Sequence, residues 1–333
     1  MFFGRKEKGN FVAGLLFVAV ILVGTWFAVF DGSRSGGEES VDLRVPVDLN
    51  EVLTNELSQW DALDGLDTLV LSFMKKWELD GAQLVIVRHD SLLYAKGYGF
   101  ASITDSLPMR PGTLQRLASV SKLVTAAGIM RLCEMDSLSL DSRVFGPDGI
   151  LRDYNSYIRA PYYDEITVRH LLMHSSGLSC RAGGDPLFPG VYVDSQDAVL
   201  RGALRRRLAF RPGEGSEYSN LGYLLLSMVI EKVTGRSYED WMQEYVLRPA
   251  GCHDFHIAGS TPGERLSGET CYGRDGVNNV RLLSGAGAWV ASAPELARFV
   301  ASIDGRGGMP DILSSESVAA MTFPTDSVTY ALG

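Results

Sequence analysis

No C-x-x-C pair occurs in the 333 residues, although there are four cysteines, Cys133, Cys180, Cys252 and Cys271. A zinc ribbon or a dithiol redox site needs such pairs, so both are excluded. Cys133 lies on an apolar helical stretch and reads as core; a bridge among the other three is open. Basic surface is equally scarce. Lys and Arg total 31 against 40 Asp and Glu, a formal charge of −9, and the longest basic run is Arg205-Arg206-Arg207. A nucleic-acid partner calls for a basic face, so none is expected. The triplet suits a helix C-terminus, where the helix dipole favours positive charge. The histidine pair His170 and His174 in "HLLMH" has helical i, i+4 spacing, but a zincin motif places Glu after its first His. Leu171 stands there, so no metal site is expected. Gly285 and Gly287 of "SGAGAW" lack the strand–turn–helix frame of a nucleotide loop, and no cofactor is expected. They suit backbone passing close to a neighbour. Repeats and low-complexity blocks are missing too. At 46% hydrophobic and 21% charged residues, the chain has ample material for a sizeable core.

One long apolar run is present. Phe11 to Phe30, "FVAGLLFVAVILVGTWFAVF", is free of charge and long enough to cross a bilayer as a helix. Arg5, Lys6 and Lys8 precede it, and Asp31, Glu38 and Glu39 follow. The positive-inside bias then keeps residues 1–10 in the cytoplasm and puts the bulk of the chain outside. A cleaved signal peptide is disfavoured, because the run is long and no small-x-small site follows it. The expected layout is a transmembrane anchor at 11–30, an extracytoplasmic linker at 31–60 around "DGSRSGGEES", and a single domain at 61–333.

Within that domain, Leu63, Leu66, Leu69, Phe73, Met74 and Trp77 recur at three- and four-residue intervals, predicting an amphipathic helix. "AQLVIV" and "LLYAKGYG", separated by "RHDS", predict a hairpin. Thr167 is placed to cap "VRHLLMH". Asn220 is placed to cap "LGYLLLSMVIEKVTG", with Gly235 as its stop. Ser292 and Glu295 have capping-box spacing. Strands followed by many helices argue for an α+β domain rather than a parallel sheet.

"LASVSKLVTAAGIMRLCEM", Leu117 to Met135, sets Lys122 in a helix of apolar and small residues. Ser119 and Lys122 are three apart and share a helix face. Ser119 falls at the N-terminus, where backbone N–H groups favour developing negative charge. A lysine stripped of water there has a lowered pKa and can take a serine proton, the arrangement of an activated nucleophile. Read alone, S-x-x-K also fits a capping serine and a snorkelling lysine. Further on, "EGSEYSNLGYLLLSMVIEKVTG" places Tyr218 and Asn220 at a loop–helix junction. The Tyr218 phenol there can pass protons, and the Asn220 amide can hold a substrate carbonyl or orient Lys122.

With these motifs in hand, the chain resembles the serine β-lactamase and penicillin-binding-protein superfamily. The likeness is to its branch of class C β-lactamases and D-alanyl-D-alanine carboxypeptidases. It is carried by "LLYAKGYGFAS", "LQRLASVSKLVTAAGIMRL", "LSLDSRV", "ITVRHLLMHSSGL", "FRPGEGSEYSNLGYLLLSMVIEKVTGRSYEDWM", "LRPAGCHD" and "SAPELARFV", in order from Gln83 to about Met321. The resemblance implies a β-lactamase/transpeptidase-like fold, an antiparallel sheet flanked by helices plus an all-helical region. It implies Ser119 as the acylated nucleophile, Lys122 as proton acceptor, Tyr218 as second acid/base and Asn220 as a substrate-binding group. The Ser119 N–H would form half of an oxyanion hole.

The implied protein is a membrane-anchored serine hydrolase of the bacterial inner membrane, its domain on the periplasmic or extracellular side. Substrates implied are β-lactams, D-alanyl peptides of peptidoglycan precursors, or esters. A non-turnover cell-wall sensor and a pure esterase are the rival readings. Relatives carry a further Lys-Thr-Gly or His-x-Gly motif on a strand after the region of "LSSESVAAMTFP". No match is found before Gly333, so C-terminal strands are expected to be missing and the chain as given to be inactive or poorly soluble.

Overall fold

A helix and a hairpin make up the first of two units, which divide between Pro111 and Gly112. The structure, a computed structural model, describes residues 64–179, 184–188, 193, 195–270, 279–306, 308–322 and 330–332. The apolar run 11–30 and the linker 31–60 lie outside the described residues. No helix among the described residues is long and apolar enough to cross a membrane.

In the first unit, β1 (Gly81–Arg88) and β2 (Ser91–Ser102) pair antiparallel through the two-residue turn His89-Asp90. Both turn residues have positive φ, 49° and 59°. That sign at both positions gives the turn a twist that matches the strands it joins. The strands extend further than the apolar runs alone indicate, taking in Arg88 and Ser91. A short β3 (Leu107–Pro108) continues the sheet beside β2. Among the described residues, β2 is the one strand paired with β1.

The predicted amphipathic helix forms as α1 (Asp64–Trp77), but its apolar stripe is not its docking face. Met74 is buried, whereas Leu69 is 66% exposed and Phe73 and Trp77 are each more than a third exposed. A carboxylate ties α1 to the hairpin instead. Asp67 accepts from Lys96 Nζ at 2.6 Å, Tyr98 Oη at 2.9 Å and Tyr94 Oη at 3.3 Å. The hydrogen bond from Lys96 leads in holding the Asp67 carboxyl below its usual range, and burial raises both tyrosines.

The second unit has its own antiparallel sheet, with β6 (Trp289–Ala291) between β4 (Gln115–Arg116) and β5 (His256–Ile257). Every residue of β6 is buried. A 3₁₀ turn at Ala118–Val120 leads from β4 into α2 (Ser121–Glu134). There follow α3 (Val168–Leu172), α4 (Gln196–Ala203), α5 (Asn220–Thr234) and α6 (Tyr238–Met242). Then come α7 (Ser284–Gly287), α8 (Ala293–Ala301) and α9 (Ser315–Thr322). Helices α2 and α5 are apolar nearly all round and form the core, as expected of helices covered on every side.

Helix α7 packs on both of them. It lies so close to α5 that a Cβ on Gly285 would stand 2.3 Å from the Tyr223 carbonyl oxygen. This is the close backbone approach the glycines of "SGAGAW" imply.

Local signals set the helix ends. Thr167 Oγ1 accepts from His170 N–H, and His170 Nδ1 accepts from Thr167 N–H in return. Ser292 accepts from Glu295 N–H, and Gly235 stops α5 at φ 68°. The Glu295 carboxylate accepts from the N–H groups of His253 and Asp254. One cap shifts: Ser219, not Asn220, caps α5 by accepting from Gly222 N–H at 3.2 Å. Asn220 becomes the first helical residue, and its amide is released for other use. Arg205–Arg207 follow directly on the end of α4, as their charge predicts.

Cys133 is half-buried rather than core, with its thiol pushed up to about 11 by burial. Cys252 is fully buried, also free, and raised further for the same reason. Cys180 and Cys271 lie outside the described residues.

Candidate active site

Strand β4 delivers the chain to the site, and β6 holds it there. Leu117 N–H donates to the Trp289 carbonyl at 2.8 Å, and the next residue, Ala118, turns at φ 46°. The left-handed region costs a residue with a Cβ about 1–2 kcal/mol. Such strain is typical of functional turns, where the surrounding structure enforces it. The turn lifts Ser119 to the surface, where it is exposed.

Ser121 goes the other way. It is fully buried, and its Oγ accepts from Trp289 N–H at 3.2 Å, fastening α2 to β6. The two serines therefore have different tasks, as their places on the helix indicate.

Lys122 is buried to 5% exposure beneath Ser119. Its Nζ stands 2.6 Å from the Ala286 carbonyl, 2.8 Å from Asn220 Oδ1 and 3.3 Å from Ser119 Oγ. The rings of Tyr218 and Tyr223 lie 4.7 and 5.5 Å from Nζ, within cation–π range. The carbonyl and the amide oxygen can only accept, so they occupy two N–H bonds whatever the charge on nitrogen. The third position faces Ser119. As an ammonium it donates there; as an amine it presents a lone pair to the serine proton.

Asn220 is oriented from both ends. Its Nδ2 donates to Asp185 Oδ2 at 2.7 Å while its Oδ1 accepts from Lys122. A carboxylate accepts and an ammonium donates, so the amide has one satisfactory orientation. The Asp185 carboxylate also receives Leu187 N–H at 2.9 Å.

Tyr218, 37% exposed, donates from Oη to Ser119 Oγ at 2.7 Å. All four residues singled out in the sequence thus meet around one exposed hydroxyl. Asn220 is turned to Lys122 and Asp185, so of its two sequence readings the geometry displays the orientation of Lys122.

Three contributors escaped the sequence. The Ala286 carbonyl is backbone, and the flanking glycines were its only trace. Asp185 has no motif around it. His174 has no role in the sequence beyond a zinc spacing set aside for want of a Glu, yet its ring lies 4.5 Å from that of Tyr218. Its partner His170 is taken up in the cap of α3, so the two rings serve different neighbours.

Residues 66–332 match the family model described as Beta-lactamase. The chain is similar to Penicillin-binding protein 4* of Bacillus subtilis (strain 168), with 32% identity over 58% of this chain and 41% of that protein. It is similar to Esterase EstB of Burkholderia gladioli, with 32% identity over 69% of this chain and 61% of that one. The chain therefore spans between two fifths and about three fifths of the length of these curated relatives. Among solved structures it resembles the octameric penicillin-binding protein homologue from Pyrococcus abyssi. The TM-score there is 0.62 at 26% identity, covering 79% of this chain and 60% of that one.

Proposed function

The chain belongs to the Beta-lactamase family, and from that premise we propose that it is a serine hydrolase working through a Ser119 acyl-enzyme. One observation carries the reading: an exposed serine hydroxyl has a phenol at 2.7 Å and a buried lysine nitrogen at 3.3 Å. In the proposed reaction Ser119 Oγ attacks a substrate carbonyl carbon, and its proton passes to Lys122 or Tyr218. The Ser119 N–H faces the oxyanion. Collapse expels the leaving group, which takes a proton from Tyr218, and the proton that Ser119 lost restores the phenol. Water then adds to the acyl carbon and gives a proton to the Lys122–Tyr218 pair, the ester bond to Oγ breaks, and that proton passes to Ser119 Oγ.

Candidate substrates are β-lactams, D-alanyl peptides and small esters, in keeping with the class C and D-alanyl-D-alanine carboxypeptidase branch. The longer alignment with Esterase EstB favours the ester reading as the second choice. We further propose that residues 11–30 anchor the chain in the bacterial inner membrane, with the domain from residue 61 outside.

Mass spectrometry of the full chain after fluorophosphonate, and separately after penicillin, tests the chemistry. We expect a covalent adduct on Ser119, abolished in Ser119→Ala and retained in Ser121→Ala; an adduct that persists in Ser119→Ala would sink the reading. Turnover of nitrophenyl esters with no penicillin adduct selects the esterase. A stable penicillin adduct without hydrolysis selects a sensor. Protease added to spheroplasts checks the anchor, which fails if the domain is found free in the soluble fraction.

A further inference from the structure

We propose that His174 is the positioning residue for Tyr218, setting the phenol against Ser119 from below; the inference rests on the acyl-enzyme reading. Tyr218 is gripped through both of its chain neighbours. Glu217 N–H donates to the His174 carbonyl at 2.9 Å, and Ser219 N–H donates to His174 Nδ1 at 3.1 Å. Between these two bonds the imidazole lies 4.5 Å from the Tyr218 ring, tilted by 39°. One residue thus holds the backbone on either side of Tyr218 and supports its ring.

His174 is itself held. It is 4% exposed, with Tyr223 at 5.2 Å and Tyr330 edge-on at 4.9 Å. Tyr223 Oη in turn donates to the Leu172 carbonyl at 3.1 Å. The residue type follows from these demands. Ser219 N–H is buried and needs an acceptor, while the space against Tyr218 needs a flat ring. A neutral imidazole with its proton on Nε2 supplies both. Burial, reinforced by the nearby Lys122 charge, pushes the ring down to about 3, so Nδ1 keeps its lone pair. An imidazolium would set a donor against a donor and a second cation near Lys122.

A displacement of about 1 Å at a reacting group costs on the order of a hundredfold in rate, so this grip is the kind of support catalysis requires.

The test measures fluorophosphonate labelling of the full chain, separating kinact from KI, with Ser119 verified as the labelled residue in each variant. His174→Phe keeps a ring but leaves Ser219 N–H buried without an acceptor. His174→Asn places an amide oxygen near the position of Nδ1 and tolerates the backbone at φ 54°, but removes the ring. We expect kinact to fall about 10- to 100-fold in His174→Phe and about 3- to 10-fold in His174→Asn, with KI little changed. In a Tyr218→Phe background each substitution should cost less than about twofold, since the group it positions is gone.

Unchanged labelling in both single variants would overturn the proposal. So would an equal loss with and without the Tyr218 hydroxyl, which marks a merely structural role. If His174→Phe does not fold, the His174→Asn and Tyr218→Phe pair decides alone. Failure of the underlying reading looks different, since labelling would then survive Ser119→Ala.

Discussion

Helix α1 turns Leu69, Phe73 and Trp77 toward solvent, whereas α2 buries ten of its fourteen residues, an ammonium among them. In the first unit the docking is polar: one carboxylate receives a lysine and two tyrosines, and an apolar stripe is left over. In the second the surroundings are apolar, and a buried charge is tolerable only where its donors are matched. Lys122 meets that condition with a carbonyl, an amide oxygen and a serine hydroxyl. Polar groups thus hold structure together in one unit and assemble the proposed chemistry in the other.

Substitution at the buried ammonium should have the largest effect. Lys122→Arg keeps the charge but cannot accept a proton, because a guanidinium does not deprotonate. Acylation should slow by roughly two to four orders of magnitude, the range for a positioned acid/base. A near-normal rate would assign the base to Tyr218 and leave Lys122 a purely electrostatic role. By contrast, Asp67→Asn in the first unit should leave the labelling rate within about twofold, since its partners are Lys96, Tyr98 and Tyr94 and none of the four site residues.

Acid should separate the units next. The unfolded chain protonates His174 from its ordinary 6.5, while in the fold the ring resists down to about 3. The unfolded state binds more protons across that window, so stability of the second unit falls as pH drops from 6.5 toward 3. Asp67 has the opposite chemistry and a later window. Its carboxyl is held below 3.8, so its contribution is present above that value and is lost as pH falls below it. Protection from hydrogen exchange, taken relative to the intrinsic rate at each pH, should therefore be lost first in segments around His174 and Tyr218, and only at lower pH around α1. Simultaneous loss would break the comparison.

The smallest effect belongs to the spare stripe. Leu69→Ser and Phe73→Ser should each change stability by no more than about 0.5 kcal/mol, the usual range for exposed positions. A loss of several kcal/mol in thermal unfolding of the full chain would show that these side chains are covered in solution.

Much of the second unit was legible because its signals are local. Thr167 and Ser292 begin helices through their own side-chain caps, Gly235 ends one through its backbone conformation, and the spacing of Ser119 to Lys122 needs only one helical turn. The Tyr218-x-Asn220 pair added a specific landmark. What stayed hidden depends on the packing of distant segments. Period-based reading identified α1 as a helix, yet it assumed that the apolar face is the buried one. Asn220 looked like a cap because serine and asparagine compete for that task; Ser219 took it, and the amide turned to Lys122. The Ala286 carbonyl carries no side-chain signature at all. For His174, once Leu171 had set the zinc motif aside, no sequence signal was left for its ring, whose neighbours come from distant segments.

Cys252 offers a chemical clock for the second unit. Its thiol is fully buried, lies 3.5 Å from the Glu295 carbonyl, and is held protonated by that burial. An alkylating reagent needs the thiolate and needs access to it. Neither is provided until α8 and the segment ahead of β5 part. The time course of Cys252 modification, read residue by residue in intact protein, therefore counts openings of this region without a denaturant or an attached probe.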